Sequence, residues 1–196
     1  MAQAKSLKRE AADRFQLKVT LLGSRPPIWR RVIVPADTRL DEMHWLIQIA
    51  MPWQNSHLHQ FHDTDRITYY SDPGFDLEDA EDESRVRLDQ VLSRPTGRIV
   101  YEYDFGDSWE HLIQLEKILP PPGDGKRRAE CTGGRRAAPP EDIGGVWGYA
   151  EFVEAIKDPK HERHEELVEW IGGEFDPEAF DADEVNRHLK KALRLR

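Results

Sequence analysis

The sequence predicts an α+β fold with a mixed β-sheet that opens in the order strand, strand, helix. The first observation is a period-two alternation of apolar residues in two neighbouring segments near the start of the chain. The second is a segment of helical periodicity directly after them, followed by further strand patterns. The third is a set of helical segments late in the chain, which we expect to pack alongside the sheet. The opening order is compatible with a β-grasp-like core.

Strand patterns are clearest where β-branched and aromatic residues alternate with polar ones. Phe15, Leu17, Val19 and Leu21 share one face of the first segment. Residues 106–108 read Gly-Asp-Ser and separate the two most apolar segments, which is typical of a hairpin turn. Strands are predicted at residues 15–22, 28–34, 57–61, 67–70, 99–105 and 109–119.

The clearest helix covers residues 38–51, with Thr38 as its expected N-cap, Asp41 in a capping-box position and Pro52 as its end. Residues 86–92 are short and apolar, so a single helical turn and a strand both remain open. Further helices are predicted at residues 149–156, 164–171 and 183–195, the second ended by a pair of glycines.

Two polar segments are predicted to be loops. Residues 72–83 hold seven acids and no base, and residues 120–140 are rich in proline, glycine and arginine. A loop of the second length is usually functional or disordered. We expect residues 1–13 to be frayed or disordered and residues 14–196 to form a single domain.

The charge, the cysteine content and the apolar runs of the sequence limit the kinds of binding partner to be expected. The formal net charge is −9, with a basic start to the chain and an acidic remainder, and such a field disfavours binding to nucleic-acid phosphates. Cys131 is the single cysteine of the sequence, so no internal disulfide can form and the cytoplasm is the expected compartment. No apolar run reaches the roughly 20 residues that a membrane span requires. A protein or a small molecule is therefore the expected partner, rather than a membrane or a nucleic acid.

A divalent metal is one cofactor that the sequence suggests. His57 and His59 are two residues apart, so on a strand both imidazoles would project from one face and could bind one ion. Cys131, in a glycine-rich basic segment, is a candidate for a further ligand or a small apolar filler. The alternative for the two histidines is a pair of polar residues on a half-exposed strand.

The predicted hairpin between the two most apolar strands concentrates ionisable residues. Asp104, Asp107, Glu110 and His111 surround its turn, which is a pattern suited to general acid–base chemistry or to an oxygen-rich cation site. Turn chemistry explains Asp107 equally well, because its side chain can bond to nearby backbone amides. Trp109 is a candidate binding residue in the same segment.

Two further pairs are candidates for ligand binding. Arg135 and Arg136 follow two glycines and could help to hold an anion. Glu141 and Asp142 lie between two prolines and two glycines, so a carboxylate pair is presented there by a tight segment. Capping of the helix that follows would explain the same pair.

Several of these segments together resemble the plasmid pRiA4b open-reading-frame-three-like family. The resemblance is carried by PIWRR at residues 27–31, HLHQF at residues 57–61, YEYDFGDSWEH at residues 101–111 and PPEDIGG at residues 139–145, and it covers roughly residues 15–190. It implies an association with mobile elements but no activity, because the family has no established one. Relatives often carry a second cysteine where this chain has Ala138, so a metal-binding cysteine pair would lack one ligand here.

Two functions from different classes remain open at this point. The first is a binding or interaction module in which residues 71–84 and 120–145 form a recognition surface for a protein or a small acidic ligand. The second is a metal-assisted hydrolase or nuclease-like enzyme, in which His57 and His59 bind the ion and the hairpin and PPED carboxylates complete the site. The first is favoured because no complete catalytic signature is present. Both require the paired imidazoles of His57 and His59, the hairpin and residues 139–145 to meet in space.

Overall fold

The computed structural model describes residues 13–92 and 96–192, and within them the chain forms a mixed sheet and a set of helices. The strands are β1 (Arg14–Leu21), β2 (Trp29–Pro35), β3 (His59–His62), β4 (Tyr69–Ser71), β5 (Ala80–Asp82), β6 (Arg98–Tyr103), β7 (Trp109–Leu119) and β8 (Glu130–Arg135). The helices are α1 (Leu40–Ala50), α2 (Leu88–Val91), α3 (Gly145–Lys157), α4 (His164–Ile171) and α5 (Ala182–Ala192).

All eight strands join one sheet, in the order β5-β4-β3-β6-β7-β1-β2-β8. The pairs are antiparallel except for β4 with β5, so the sheet is mixed and the predicted α+β class is confirmed. The β-grasp-like arrangement stays a prediction. Among the residues that the structure describes, no helix has the length and hydropathy of a bilayer-spanning segment.

The core lies between α1 and one face of the sheet. Leu40, Met43 and Ile47 on α1 are fully buried, and the imidazole of His44 is 2.8 Å from the hydroxyl of Tyr101 on β6. Because side chains alternate along a strand, Tyr101 and Tyr103 face this core while Glu102 faces the other side of the sheet. Helix α5 contacts β8 and α1, and α3 contacts α4, as expected for C-terminal helices beside a sheet.

Two helix starts differ from the prediction, and one open alternative is resolved. The N-cap of α1 is Arg39 rather than Thr38, and the carboxylate of Glu42, not Asp41, accepts a hydrogen bond from the backbone N–H of Arg39 at 2.9 Å. Within residues 86–92, Leu88–Val91 form the short helix α2, so the helical turn rather than the strand is found there. Helix α3 begins four residues earlier than predicted, and the expected end of the last helix at residues 193–195 lies outside the described residues.

Both predicted loops contain a strand. Within the acidic segment β5 pairs with β4, and within residues 120–140 β8 pairs with β2 from Trp29 to Ile33. Neither strand has a strong local propensity, and β8 contains Gly133 and Gly134. Pairing with an existing edge therefore decides the conformation of these segments, which single-sequence periodicity does not detect.

Close backbone approaches fix the start of α3. A Cβ at Gly148 would lie 1.9 Å from the carbonyl oxygen of Ile143, and a Cβ at Gly145 would lie 2.5 Å from the carbonyl oxygen of Asp107. The start of α3 is therefore pressed against both the segment that precedes it and the turn between β6 and β7.

We expect Gly148→Ala to destabilise the protein by about 1–3 kcal/mol, although alanine is the better helix former. The cause is the clash with the carbonyl of Ile143, and denaturant unfolding measures the effect. Gly133→Ala is the control, because a Cβ there meets no atom within 4 Å. Equal stability of the two variants would contradict this account of the packing.

Candidate functional site

The turn between β6 and β7 positions one carboxylate firmly. Asp104 adopts a positive φ of 59°, its backbone N–H donates to the carbonyl of Leu58 at 2.9 Å, and its Oδ1 accepts from the N–H of Gly106 at 2.9 Å. The side chain of Asp104 is consequently held, and its second oxygen, Oδ2, lies 3.7 Å from Nδ1 of His57.

Residues 139–145, which we name the PPED segment, are fastened to the same region. The indole N–H of Trp53 donates to the carbonyl of Pro139 at 2.9 Å, and the hydroxyl of Tyr103 donates to Oε1 of Glu141 at 2.5 Å. The N–H of Gly144 donates to Oδ2 of Asp107 at 3.1 Å. Asp107 and Glu141 thus hold the PPED segment against the end of the sheet.

His57, Asp104 and Asp142 form what we name the His57 site. Nε2 of His57 lies 3.1 Å from Oδ1 of Asp142, and one ligand atom from each of the three residues lies within 4.8 Å of the other two. The side chain of Asp104 is 11% exposed and that of Asp142 is 71% exposed. The site therefore combines one fixed carboxylate, one half-buried imidazole and one movable carboxylate.

The His57 site opens into a cleft of about 520 Å³. Phe75, from the acidic segment, lies on one wall, and Leu58 and Phe105 add apolar side chains that are partly exposed. The remaining lining residues are Asn55, Ser56, His57, Asp104 and Gly106. Of the two segments expected to form a recognition surface, residues 71–84 line the cleft through Phe75, and residues 120–145 reach its edge through the contact of Asp142 with His57.

His59 does not join His57. Strand β3 begins at His59, so His57 lies before the strand and the two imidazoles do not share a strand face. His59 is buried in the core, where its Nε2 is 3.1 Å from both oxygens of Glu83 and its ring stacks on His44 with centroids 3.6 Å apart. The spacing predicted one ion bound by both histidines, whereas the structure separates them.

Cys131 is also remote from the His57 site. It lies on β8 at one edge of the sheet, and four strands separate β8 from β3. The residue is buried, its Sγ is 3.6 Å from the carbonyl of Gly133, and burial raises the pKa of its thiol. The surroundings fit a small apolar filler.

Trp109 and His111 lie beneath the His57 site rather than in it. Both are 0% exposed, and their rings pack around Trp53. Burial lowers the pKa of His111 to about 4, and its Nδ1 lies 2.9 Å from the carbonyl of Trp109. His111 is therefore neutral near pH 7 and is not placed to exchange protons with a ligand.

The remaining candidates lie elsewhere. Glu110 projects from the opposite face of the sheet and pairs with Arg66. Arg135 is exposed at the end of β8, and Arg136 is buried and pairs with Glu178 at 2.5 Å. Neither arginine lines the cleft beside His57.

Tyr103 and Phe75 belong to the site although neither was singled out. Strand alternation places Tyr103 on the core face, and its hydroxyl emerges at the strand end to meet Glu141. Phe75 approaches because the 3₁₀ turn Pro73–Phe75 folds back near β3, where its ring lies 5.2 Å from that of His59. A strand pattern can indicate Tyr103, but no local signal indicates Phe75.

The fold and the site define an α+β protein in which the end of the sheet and the β6–β7 turn border a cleft, with the PPED segment beside it at His57. The sequence profile of the family described as Plasmid pRiA4b ORF-3-like protein matches residues 13–184, and the chain belongs to that family. The resemblance stated from the sequence motifs is thereby confirmed.

Two relatives extend this result. The chain is 42% identical over 185 residues to "Uncharacterized protein y4hQ" of Sinorhizobium fredii, which covers 90% of each protein. It also matches the crystal structure of a protein of unknown function, MM3350 from Methanosarcina mazei Go1, with a TM-score of 0.80 and 38% identity over 90% of this chain and 98% of that one. The family is uncharacterised, so these relatives establish the fold and the family but bring no activity.

We expect Tyr103→Phe to destabilise the protein by about 1–3 kcal/mol, because it removes the donor to Oε1 of Glu141 and leaves that carboxylate only the N–H of Gln54. It also removes the acceptor of the N–H of Ser56, which lies 2.9 Å from the hydroxyl. Tyr149→Phe is the matched control, because within the described part of the chain the hydroxyl of Tyr149 has no hydrogen-bond partner. Unfolding in urea measures both variants, and a Tyr103→Phe protein as stable as the wild type would refute the linking role of this hydroxyl.

The lowered pKa of His111 predicts a pH dependence of stability. Between its ordinary value of 6.5 and about 4 the unfolded chain binds more protons than the folded one, so the free energy of unfolding falls as the pH falls through that window. His111→Gln should flatten the profile between these two values, whereas the exposed His188→Gln should not. Chemical denaturation at a series of pH values gives the profile, and an unchanged slope in His111→Gln would contradict the assignment.

Proposed function

We propose that this protein is a binding module that takes up a protein or small-molecule ligand through a divalent cation held at the His57 site. The observation that carries the proposal is the convergence of one imidazole and two carboxylates at the mouth of an open cleft. These three residues come from the segment before β3, the β6–β7 turn and the PPED segment, which are far apart in sequence.

The distances suit a single ion. Nitrogen and oxygen ligands lie about 2.0–2.2 Å from a metal such as zinc, so two ligands of one ion lie up to roughly 4.4 Å apart. The separations of 3.7 Å to Asp104 and 3.1 Å to Asp142 start from different nitrogens of His57, Nδ1 and Nε2, and one ion can bind only one of them. One ligand atom from each of the three residues nevertheless lies within 4.8 Å of the other two, so a small shift brings all three within this limit. Asp142, being mostly exposed, can make the remaining adjustment.

Charge supports a cation in the same place. Asp104 and Asp142 stand beside Asp107 and Glu141, and among the described residues no lysine or arginine lines the cleft. Carboxylates brought together repel one another unless a cation neutralises them. A divalent ion with three protein ligands keeps open positions, so a carboxylate of an acidic ligand can complete its coordination.

The apolar walls supply the second part of a ligand site. Leu58 and Phe105 are 43% and 39% exposed, and with Phe75 they border the metal ligands. Small-molecule sites combine such apolar walls with a few convergent polar groups. The ion would fix the polar end of the ligand and these side chains its apolar part.

The arrangement favours binding over catalysis. Of the residues expected to be catalytic, Asp104 lines the cleft, and Asp107 accepts a hydrogen bond from the N–H of Gly144 in the PPED segment. Glu110 faces the other side of the sheet, and His111 is buried in the core. A hydrolytic metal site needs a base within hydrogen-bond reach of the water that it activates. Glu110 and His111 do not reach the cleft and so cannot act as that base, and the hydrolase alternative is therefore not favoured.

Calorimetric titration of metal-free, tag-free protein with Mn²⁺ and with Zn²⁺ tests the proposal. We expect Asp104→Asn and Asp142→Asn each to lower the affinity for one equivalent of ion by roughly tenfold or more. Replacing even a residue that only hydrogen-bonds to a metal ligand lowers metal affinity by at least that factor. Asparagine keeps an acceptor for Gly106 and tolerates the positive φ of Asp142, so both variants should fold.

Asp124→Asn is the control, because Asp124 lies in an exposed ion pair with Arg128. Wild-type protein that binds neither ion, or binding that is unaffected by both site variants, would overturn the proposed function.

A further inference from the structure

We propose a second divalent cation site on the opposite face of the sheet, formed by His62, Glu102 and Glu110, in which Arg66 supplies the positive charge when the metal is absent. We name these three residues the His62 cluster. One ligand atom from each lies within 4.8 Å of the other two, as in the His57 site. The proposal does not rest on the function proposed for the His57 site.

The register of β6 and β7 places two like charges side by side. Glu102 pairs directly with Glu110, so both carboxylates project from the same face. Like charges opposite one another destabilise a sheet, and burial increases the cost. Glu102 is only 8% exposed and the side chain of Glu110 is 26% exposed. A cation between the two strands would remove this repulsion.

His62 presents a nitrogen to these carboxylates. The residue is 2% exposed, and its Nδ1 lies 2.7 Å from the carbonyl of Asp63, which can only accept a hydrogen bond. Nδ1 therefore carries the proton, and in the neutral ring Nε2 carries the lone pair. Nε2 is 4.0 Å from Oε1 of Glu110, and it has no hydrogen-bond partner within the described ranges.

A lone pair that faces carboxylate oxygens is unfavourable unless a cation or a proton lies between them. Metal-binding histidines usually donate their other N–H to a carbonyl or carboxylate, and ligating carboxylates are themselves hydrogen-bonded. Both features are present around the His62 cluster. Glu102 accepts from the hydroxyl of Ser108 at 2.9 Å and from the side-chain amide of Gln60 at 2.7 Å.

These two donors are neutral, so they orient Glu102 without cancelling its charge. Arg66 is the cation that the structure places at the cluster, paired with Glu110. Against the two carboxylates its single positive charge leaves one negative charge, which matches a site built for a divalent ion.

The guanidinium of Arg66 can be displaced from Glu110 by a metal ion. Its side chain is 51% exposed, and it lies on the turn that connects β3 to β4. The carboxylate of Asp63 fixes that turn by accepting from the N–H groups of Ile67 and Thr68 at 2.8 Å and 3.2 Å. The guanidinium can therefore swing into water while the turn stays in place, which makes it a displaceable competitor of the metal.

The donor set indicates the class of ion. One imidazole and two carboxylates suit borderline ions such as Mn²⁺ or Zn²⁺ better than a soft ion that prefers sulfur ligands. Three protein ligands leave positions for water. The test therefore uses Mn²⁺ and Zn²⁺ alone as probes.

In an Asp142→Asn background ion binding at the His57 site is weakened, so calorimetric titration distinguishes the ion at the His62 cluster by its unchanged affinity. We expect one equivalent of ion to bind at the His62 cluster in this background. Adding His62→Gln or Glu102→Gln should abolish that binding. Adding Arg66→Gln should strengthen it roughly tenfold, because the competing positive charge is removed. Arg85→Gln is the matched control, since Arg85 is an exposed arginine paired with Asp82.

The thermal midpoint of the same proteins is the second measurement. Mn²⁺ or Zn²⁺ should raise the midpoint of the Arg66→Gln protein more than that of the Arg85→Gln protein. If the added substitutions at His62 and Glu102 prevent folding, the gain of affinity in Arg66→Gln still decides the question.

The proposal is overturned if the Asp142→Asn protein binds no ion with Arg66 present or replaced, because Arg66 or a proton on His62 would then be the only cation that the cluster accepts. It is also overturned if the remaining ion is unaffected by the added His62→Gln. If Asp142→Asn does not weaken the binding of any equivalent of ion relative to the wild type, the function proposed for the His57 site fails. The effects of Arg66→Gln and His62→Gln still test the His62 cluster independently.

Discussion

The phenol of Tyr103 joins the three segments on which the cleft depends. Its hydroxyl accepts from the N–H of Ser56 and donates to Glu141, so a residue at the end of β6 binds both the segment before β3 and the PPED segment. Burial and the neighbouring Glu141 carboxylate raise the pKa of Tyr103 above its ordinary value, which keeps the phenol protonated as a donor. His57 and Asp142 lie next to these two contacts in sequence, and their approach to Asp104 follows from them.

Part of this arrangement could be predicted from the sequence. Alternation predicted the central strands, and the hairpin turn and the PPED segment do meet as expected, through Asp104 and Asp142. The pairing of His57 with His59 could not be judged, because it depends on where β3 begins, and a shift of two residues separates the imidazoles. The strand β8 was missed since its conformation depends on pairing with β2, which leaves no periodic signal in a segment that contains two glycines.

The alternation of side chains along β6 also explains why acidic residues of one motif lie in different parts of the structure. Glu102 and Glu110 project from the face opposite the core, where His62 and Arg66 lie, while Tyr101, Tyr103 and His111 project into the core. Asp104 lies just beyond the strand end and belongs to neither face. A motif that reads as one cluster of carboxylates therefore divides between two groups of residues. Arg66 accompanies the group around His62, whereas no lysine or arginine among the described residues lines the cleft beside His57.

The location of a bound ion is the most direct test of the view that the His57 site is a metal centre. Crystals of the tag-free protein grown with Mn²⁺ or Zn²⁺ would give an anomalous difference map measured at the absorption edge of the metal. A metal held at the His57 site would give a peak about 2.0–2.3 Å from a nitrogen of His57 and from carboxylate oxygens of Asp104 and Asp142. A map without a peak between these three residues, at an ion concentration that saturates any calorimetric binding, would contradict that view.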